Sequence, residues 1–160
     1  RPSNVDDAAK LRSILDAVME STAGIPVVFP VHPRTRQNLN NMNVDYPQLM
    51  MIDPQGYLEF IHLVKNAKGI ITDSGGITEE ATVLNVPCLT MRNSTERPET
   101  VTIGTNELVG DNIDKLRAYL EKIVNNQWKK GEIPQYWDGH TSERIVDILY
   151  SLYAKQPVAP

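Results

Sequence analysis

The sequence predicts an α/β fold, a parallel sheet with helices on both faces. Three observations lead to it. Short apolar runs of strand length alternate with stretches of helical spacing from one end of the chain to the other. The joins between them are polar or carry Gly and Pro, as turns between elements require. No internal repeat or low-complexity stretch breaks the alternation, and 160 residues suffice for one domain with its own core.

The elements follow in order. Pro2, Ser3, Asn4 and Asp6 form a cap-rich entry. Leu11, Ile14, Leu15, Val18 and Met19 then recur at i, i+3, i+4, i+7 and i+8, which is one apolar face of a helix. Gly24 ends it, and Val27–Val28–Phe29 reads as a buried strand. His32–Pro33 opens a polar segment with Arg34, Arg36 and Asn38, to which no element is assigned. Leu49–Met50–Met51–Ile52 is the second strand, closed by Asp53–Pro54. From Gln55–Gly56 a helix runs through Tyr57, Phe60, Ile61 and Val64. Gly69–Ile70–Ile71 is the third strand, and after Asp73–Ser74–Gly75–Gly76 a helix places Ile77, Ala81 and Leu84 on one face. Cys88–Leu89–Thr90–Met91 is the fourth strand. The polar stretch from Arg92 to Glu99 ends in a helix start at Pro98, a position proline favours. Glu107–Leu108–Val109 is the last strand. Leu116, Leu120, Ile123 and Val124 mark one more helix. Ile145, Ile148, Leu149, Leu152 and Tyr153 mark the final one, at the spacing of the first. The domain is expected to span 1–155, with a loose tail over 156–160.

Composition removes several classes of function. The formal net charge is −4 with no basic run, so nothing points to nucleic acid. No apolar stretch is long enough to cross a bilayer. A single cysteine, Cys88, allows no internal disulfide, and three scattered histidines lack ligand spacing, so no metal is expected. Neither a nucleophile elbow nor a Walker motif is present. A cytoplasmic location is the default expectation. The chain opens at Arg1–Pro2 without Met, and we expect it to be part of a longer protein.

The Asp73–Gly76 turn stands out. It sets free backbone N–H groups at a helix N-terminus just past a strand, an arrangement that favours an anion. Glycine lets a phosphate approach the backbone. The plainer reading is that every α/β protein needs such turns. In a parallel sheet the loops after the strands gather along one edge, where ligands bind. That edge brings together His32, Asp53–Gln55, Asp73–Gly76 and Arg92–Arg97. Arg97 is either a cation for phosphate or a surface partner of Glu96 or Glu99. Glu80 could accept from ribose hydroxyls, while Glu79 is read as structural, complementing the helix dipole. Phe60 serves core packing or walls a base pocket. His32 is either a ligand-binding or acid/base histidine or a hydrogen-bonded structural one. Cys88 is read as an inert buried thiol.

Several stretches resemble the non-hydrolysing UDP-N-acetylglucosamine 2-epimerases. They are Thr72–Asp73–Ser74–Gly75–Gly76–Ile77–Thr78–Glu79–Glu80–Ala81, then Met91–Arg92–Asn93–Ser94–Thr95–Glu96–Arg97–Pro98–Glu99, with Pro30–Val31–His32–Pro33 and Asp53–Pro54–Gln55–Gly56–Tyr57–Leu58–Glu59–Phe60. Arg1–Asp6 and the Asp138–Gly139 to Arg144–Ile145 loop also match. The resemblance implies a Rossmann-like domain, the C-terminal half of a two-domain GT-B fold. It implies that Ser74, Gly75 and Gly76 hold the diphosphate, and that Gln55 and Phe60 line the uridine site. Glu80 would bind ribose and Arg97 the phosphates. Arg1 and His32 resemble residues of an effector site for a second UDP-N-acetylglucosamine. No cofactor is implied. The partners implied are UDP, UDP-N-acetylglucosamine and the protein's own N-terminal domain, which would hold the acid/base carboxylates, and a homodimer of the full-length protein is allowed. The fragment alone is expected to be inactive. A GT-B glycosyltransferase half and a non-catalytic nucleotide-sugar binding module are the alternatives.

Overall fold

A computed structural model describes residues 2–22, 24–42 and 44–153. Arg1 and the expected tail over 156–160 lie outside the described residues. The elements run α1 Pro2–Val5, α2 Ala8–Ser21, β1 Val27–Pro30, α3 Pro33–Asn41, β2 Leu49–Ile52, α4 Tyr57–Asn66 and β3 Ile70–Thr72. They continue with α5 Gly75–Val83, β4 Cys88–Thr90, α6 Glu99–Thr102, β5 Asn106–Leu108, α7 Ile113–Val124 and α8 Thr141–Tyr153.

All ladders are parallel, as expected. They form two sheets: β1 pairs with β2, and β4 lies between β3 and β5. Both sheets feed one core. Ile14, Val18 and Met19 of α2 and Leu116, Leu120 and Ile123 of α7 pack with Leu89, Met91 and Val109, and Val27, Leu49 and Ile71 pack against this cluster. Side chains alternate along a strand, so Cys88 and Thr90 face the other way from Leu89. There α5 packs over β3, β4 and β5, with α4 and α6 beside it.

Local chemistry explains the boundaries. Asp7 caps α2, accepting from the N–H groups of Ala9 at 2.9 Å and Lys10 at 3.0 Å. The polar segment after His32 is a helix, which the spacing did not indicate, because α3 buries only Thr35 and Leu39. Pro33 begins it and the His32 ring caps it, accepting from Arg34 N–H at 3.4 Å. Helix α5 buries Thr78, Ala81 and Thr82, whereas Ile77 and Leu84 are only partly covered, which corrects the expected face. The buried hydroxyls stay paired: Thr78 donates to Gly75 O at 2.6 Å and Thr82 to Thr78 O at 2.9 Å. Strand β5 begins one residue earlier than expected, at Asn106. That fully buried amide accepts from Thr90 Oγ1 at 2.7 Å and donates to Thr100 Oγ1 at 3.2 Å. Helix α8 buries nothing, although its spacing matches that of α2.

Candidate nucleotide-binding site

Because the ladders are parallel, the exits of β1 and β2 lie at one end of their sheet, and those of β3 and β4 at one end of theirs. His32, Gln55, Ser74–Gly76 and Arg97 each sit on one of these exits. Side chains tie the exits together. Arg36 on α3 pairs with Asp53 after β2 at 2.9 Å. Asn4 donates to Asp73 after β3 at 3.0 Å and to Met91 O after β4 at 3.3 Å.

The turn between β3 and α5 is open at its backbone. Ser74 N–H donates to Thr72 Oγ1 at 3.1 Å, but the Ser74 side chain makes no capping bond. Helices α2, α3 and α7 are capped by side chains, from Asp7, His32 and Asn112, whereas α4 and α6, like α5, have no side-chain cap. Neither Gly75 nor Gly76 has a positive φ, so backbone conformation does not demand glycine at either position. A Cβ on Gly76 would meet nothing within 4 Å, and one on Gly75 would touch Glu96 Oε2 at 3.7 Å and Arg92 Nη1 at 3.9 Å, an ordinary contact.

Arg97 is held from several sides. Its N–H donates to Thr95 Oγ1 at 3.0 Å, and its carbonyl accepts from Thr100 Oγ1 at 2.8 Å. Its side-chain Nε donates to Glu79 on α5. Neither Glu96 nor Glu99 is the partner, and Glu79 does more than complement the helix dipole, because it aims the guanidinium. That hydrogen bond and the Glu79 charge raise the pKa of Arg97, so its charge is secure. Arg92 grips Glu96 with both terminal nitrogens, Nη1 at 3.0 Å and Nη2 at 2.6 Å, and the bonds raise its pKa too.

A groove of about 740 Å³ brings Glu80 and Arg97 together with Glu79, under Tyr57 from α4 and Tyr136 and Trp137 from the loop before α8. Gln55, Phe60 and the glycine turn do not line it. Gln55 is exposed and donates to Asp53 O at 2.6 Å, while Phe60 lies half-buried on α4. His32 is exposed and serves as a helix cap, at the opposite sheet from Arg97. Arg1 lies outside the described residues. Burial pushes the Cys88 thiol up to about 12, which agrees with an inert role. Among the described residues no His, Cys, Asp and Glu group is arranged to hold a metal ion. From the sequence Glu79 reads only as a complement to the helix dipole, and Arg92, Asn4 and the tyrosine walls have no assigned role in the site. Arg92 and Glu79 both stood inside the quoted motifs; only their contacts could not be read.

Parallel ladders, helices on both faces and a glycine turn at a strand exit place the chain in the Rossmann-like class of α/β domains. The sequence profile of the UDP-N-acetylglucosamine 2-epimerase family matches residues 1–150, and the chain belongs to that family. It is 42% identical over 158 residues to a UDP-N-acetylglucosamine 2-epimerase of Methanocaldococcus jannaschii, covering 93% of this chain and 42% of that protein. It is 39% identical to a UDP-2,3-diacetamido-2,3-dideoxy-D-glucuronate 2-epimerase of Pseudomonas aeruginosa, covering 95% of this chain and 43% of that one. A crystal structure of the M. jannaschii enzyme in complex with UDP-GlcNAc and UDP superposes with a TM-score of 0.76 at 42% identity, over 94% of this chain and 43% of that one. The chain thus spans less than half the length of these relatives. The structural neighbours are UDP-GlcNAc 2-epimerases, and the fold is one half of a GT-B-like architecture.

Proposed function

We propose that this chain is the nucleotide-binding half of a UDP-N-acetylglucosamine 2-epimerase, one that interconverts UDP-GlcNAc and UDP-ManNAc. The observation that carries the reading is the uncapped glycine turn at the head of α5, with Arg97 anchored to the same helix through Glu79. Ser74, Gly75 and Gly76 take the diphosphate on backbone N–H groups, and Arg97 adds a charged fork. Glu80 meets the ribose, and Gln55 and Phe60 line the uridine. The partner for catalysis is the rest of the protein, its N-terminal domain.

The chemistry is an elimination followed by an addition. The anomeric C–O bond breaks, UDP departs with the electron pair, and C2 loses its proton, giving a 2-acetamidoglucal. UDP then adds back and C2 is protonated on the other face. C2 has no neighbouring carbonyl to acidify it, so departure of the diphosphate must lead. Negative charge grows on the leaving phosphate oxygen. Fixed N–H dipoles and a guanidinium already in place stabilise it without rearranging at the moment of reaction. The carboxylates that move the C2 proton belong to the other domain. The P. aeruginosa relative's name points to a different sugar on the same nucleotide, which fits a half that grips UDP and leaves the sugar to its partner.

Titration of the chain with UDP by calorimetry tests this reading. Arg97→Ala is expected to weaken UDP about ten- to a hundredfold, the scale of one charge-assisted hydrogen bond. Unchanged affinity removes Arg97 from the site. Any turnover of UDP-GlcNAc by this chain alone would refute the division of labour.

A further inference from the structure

We propose that Arg92 is a second phosphate-binding guanidinium, parked on Glu96 until an incoming diphosphate displaces that carboxylate. The inference rests on the nucleotide-binding reading above and deepens it at the same site. In a helix each Cα–Cβ bond tilts toward the N-terminus, so space near the missing Cβ of the first residue lies beside the head of the helix. Gly75 is that first residue of α5. The two atoms nearest its missing Cβ are Glu96 Oε2 at 3.7 Å and Arg92 Nη1 at 3.9 Å. A carboxylate therefore sits beside the positive end of α5, where an anion is favoured. It accepts from both arms of a guanidinium, at 3.0 and 2.6 Å, the geometry with which arginine also takes two phosphate oxygens.

The two partners differ in exposure. The Arg92 side chain is 12% exposed and the Glu96 side chain 66% exposed. The cation lies against the turn, and the anion reaches solvent. The exchange makes and breaks no covalent bond. Two N–H···O bonds pass from carboxylate to phosphate, and Glu96 swings outward. Asp73 also attracts the Arg92 charge and stays at the strand exit, held by Asn4 at 3.0 Å. With Arg97 on Glu79, each arginine of the site carries a carboxylate partner before ligand arrives.

The sign of one substitution separates this exchange from a merely structural pair. Glu96→Gln keeps the shape and removes the competing charge, and we expect it to tighten UDP binding about fivefold, the scale of an exposed charge pair. Arg92→Lys keeps the charge and loses the fork, and should weaken UDP and inorganic pyrophosphate about tenfold while leaving uridine unchanged. Titrations of the chain by calorimetry, with circular dichroism melts to confirm folding, read both. Equal or weaker UDP binding by Glu96→Gln overturns the proposal, and this arm stands even if Arg92→Lys fails to fold. If the unaltered chain binds UDP and Arg97→Ala weakens it while Glu96→Gln changes nothing, only the exchange fails. If the unaltered chain does not bind UDP, the nucleotide-site reading fails and takes this inference with it.

Discussion

Helix α2 carries Leu11, Ile14, Leu15, Val18 and Met19 at the spacing that α8 repeats with Ile145, Ile148, Leu149, Leu152 and Tyr153. Every one of the α2 set is buried, divided between two clusters: Ile14, Val18 and Met19 join the main core, and Leu11 and Leu15 pack with Val31 and Leu39. In α8 even the least exposed of the set, Leu149, is 48% exposed. An apolar stripe states that a face avoids water; it does not state what covers that face. Between β1–β2, β4 and α7, helix α2 finds its cover. Helix α8 is instead anchored at its start by charge. Arg144 pairs with Asp138 and lies over the Tyr136 ring, 5.0 Å from its centroid, and Asp138 accepts from His140 N–H at 3.0 Å.

The contrast can be sharpened by deleting one leucine from each helix. Leu15→Ala is expected to lower stability by about 2–5 kcal/mol, the usual loss for a buried leucine with its cavity. Urea denaturation followed by circular dichroism reads the shift in midpoint. Leu149→Ala in the same assay should stay within about 0.5 kcal/mol of the unaltered chain, as surface substitutions do. A loss near that of Leu15→Ala would show that α8 is covered in solution and end the contrast.

The same pair of helices marks how far the sequence could be read. The alternation of elements and the Asp73–Gly76 turn are local patterns, and they appear where expected; the cap-rich entry does not, because Pro2–Val5 forms the short helix α1 and the cap of α2 is Asp7. Helix α3 was not legible because Arg34, Arg36, Gln37, Asn38 and Asn40 outnumber Leu39, and its cap is a histidine. The buried face of α5 was misjudged because Ile77 outranks Thr78 in hydrophobicity. The sheet sets the phase of the helix, and a threonine that bonds its own helix can be buried cheaply. The site was legible as loops on one edge, not as contacts. Glu79 meets Arg97 across eighteen residues and Arg92 meets the missing Cβ of Gly75 across the turn, and no spacing rule announces either. Division of the ladders into two sheets was equally out of reach, since pairing depends on where the helices push the strands.

The smallest expected effect tests whether charge does start α8. The Arg144 fork, and then the His140 N–H, hold the Asp138 carboxyl well below its ordinary 3.8. A carboxyl depressed on folding stabilises the folded form while it is ionised. That contribution is therefore fully present above the ordinary value and fades as pH falls below it toward the folded pKa. The Asp138 contribution should hold between neutrality and about pH 4; below about pH 4 an acid step should appear in the amide signals of residues 140–144 in NMR spectra. The pair is exposed, so added salt should mimic part of the change. Asp138→Asn should remove the acid step from residues 140–144. If the step survives in that variant, the anchor lies elsewhere in the loop, and the distinction between a helix held by packing and one held by charge loses its basis.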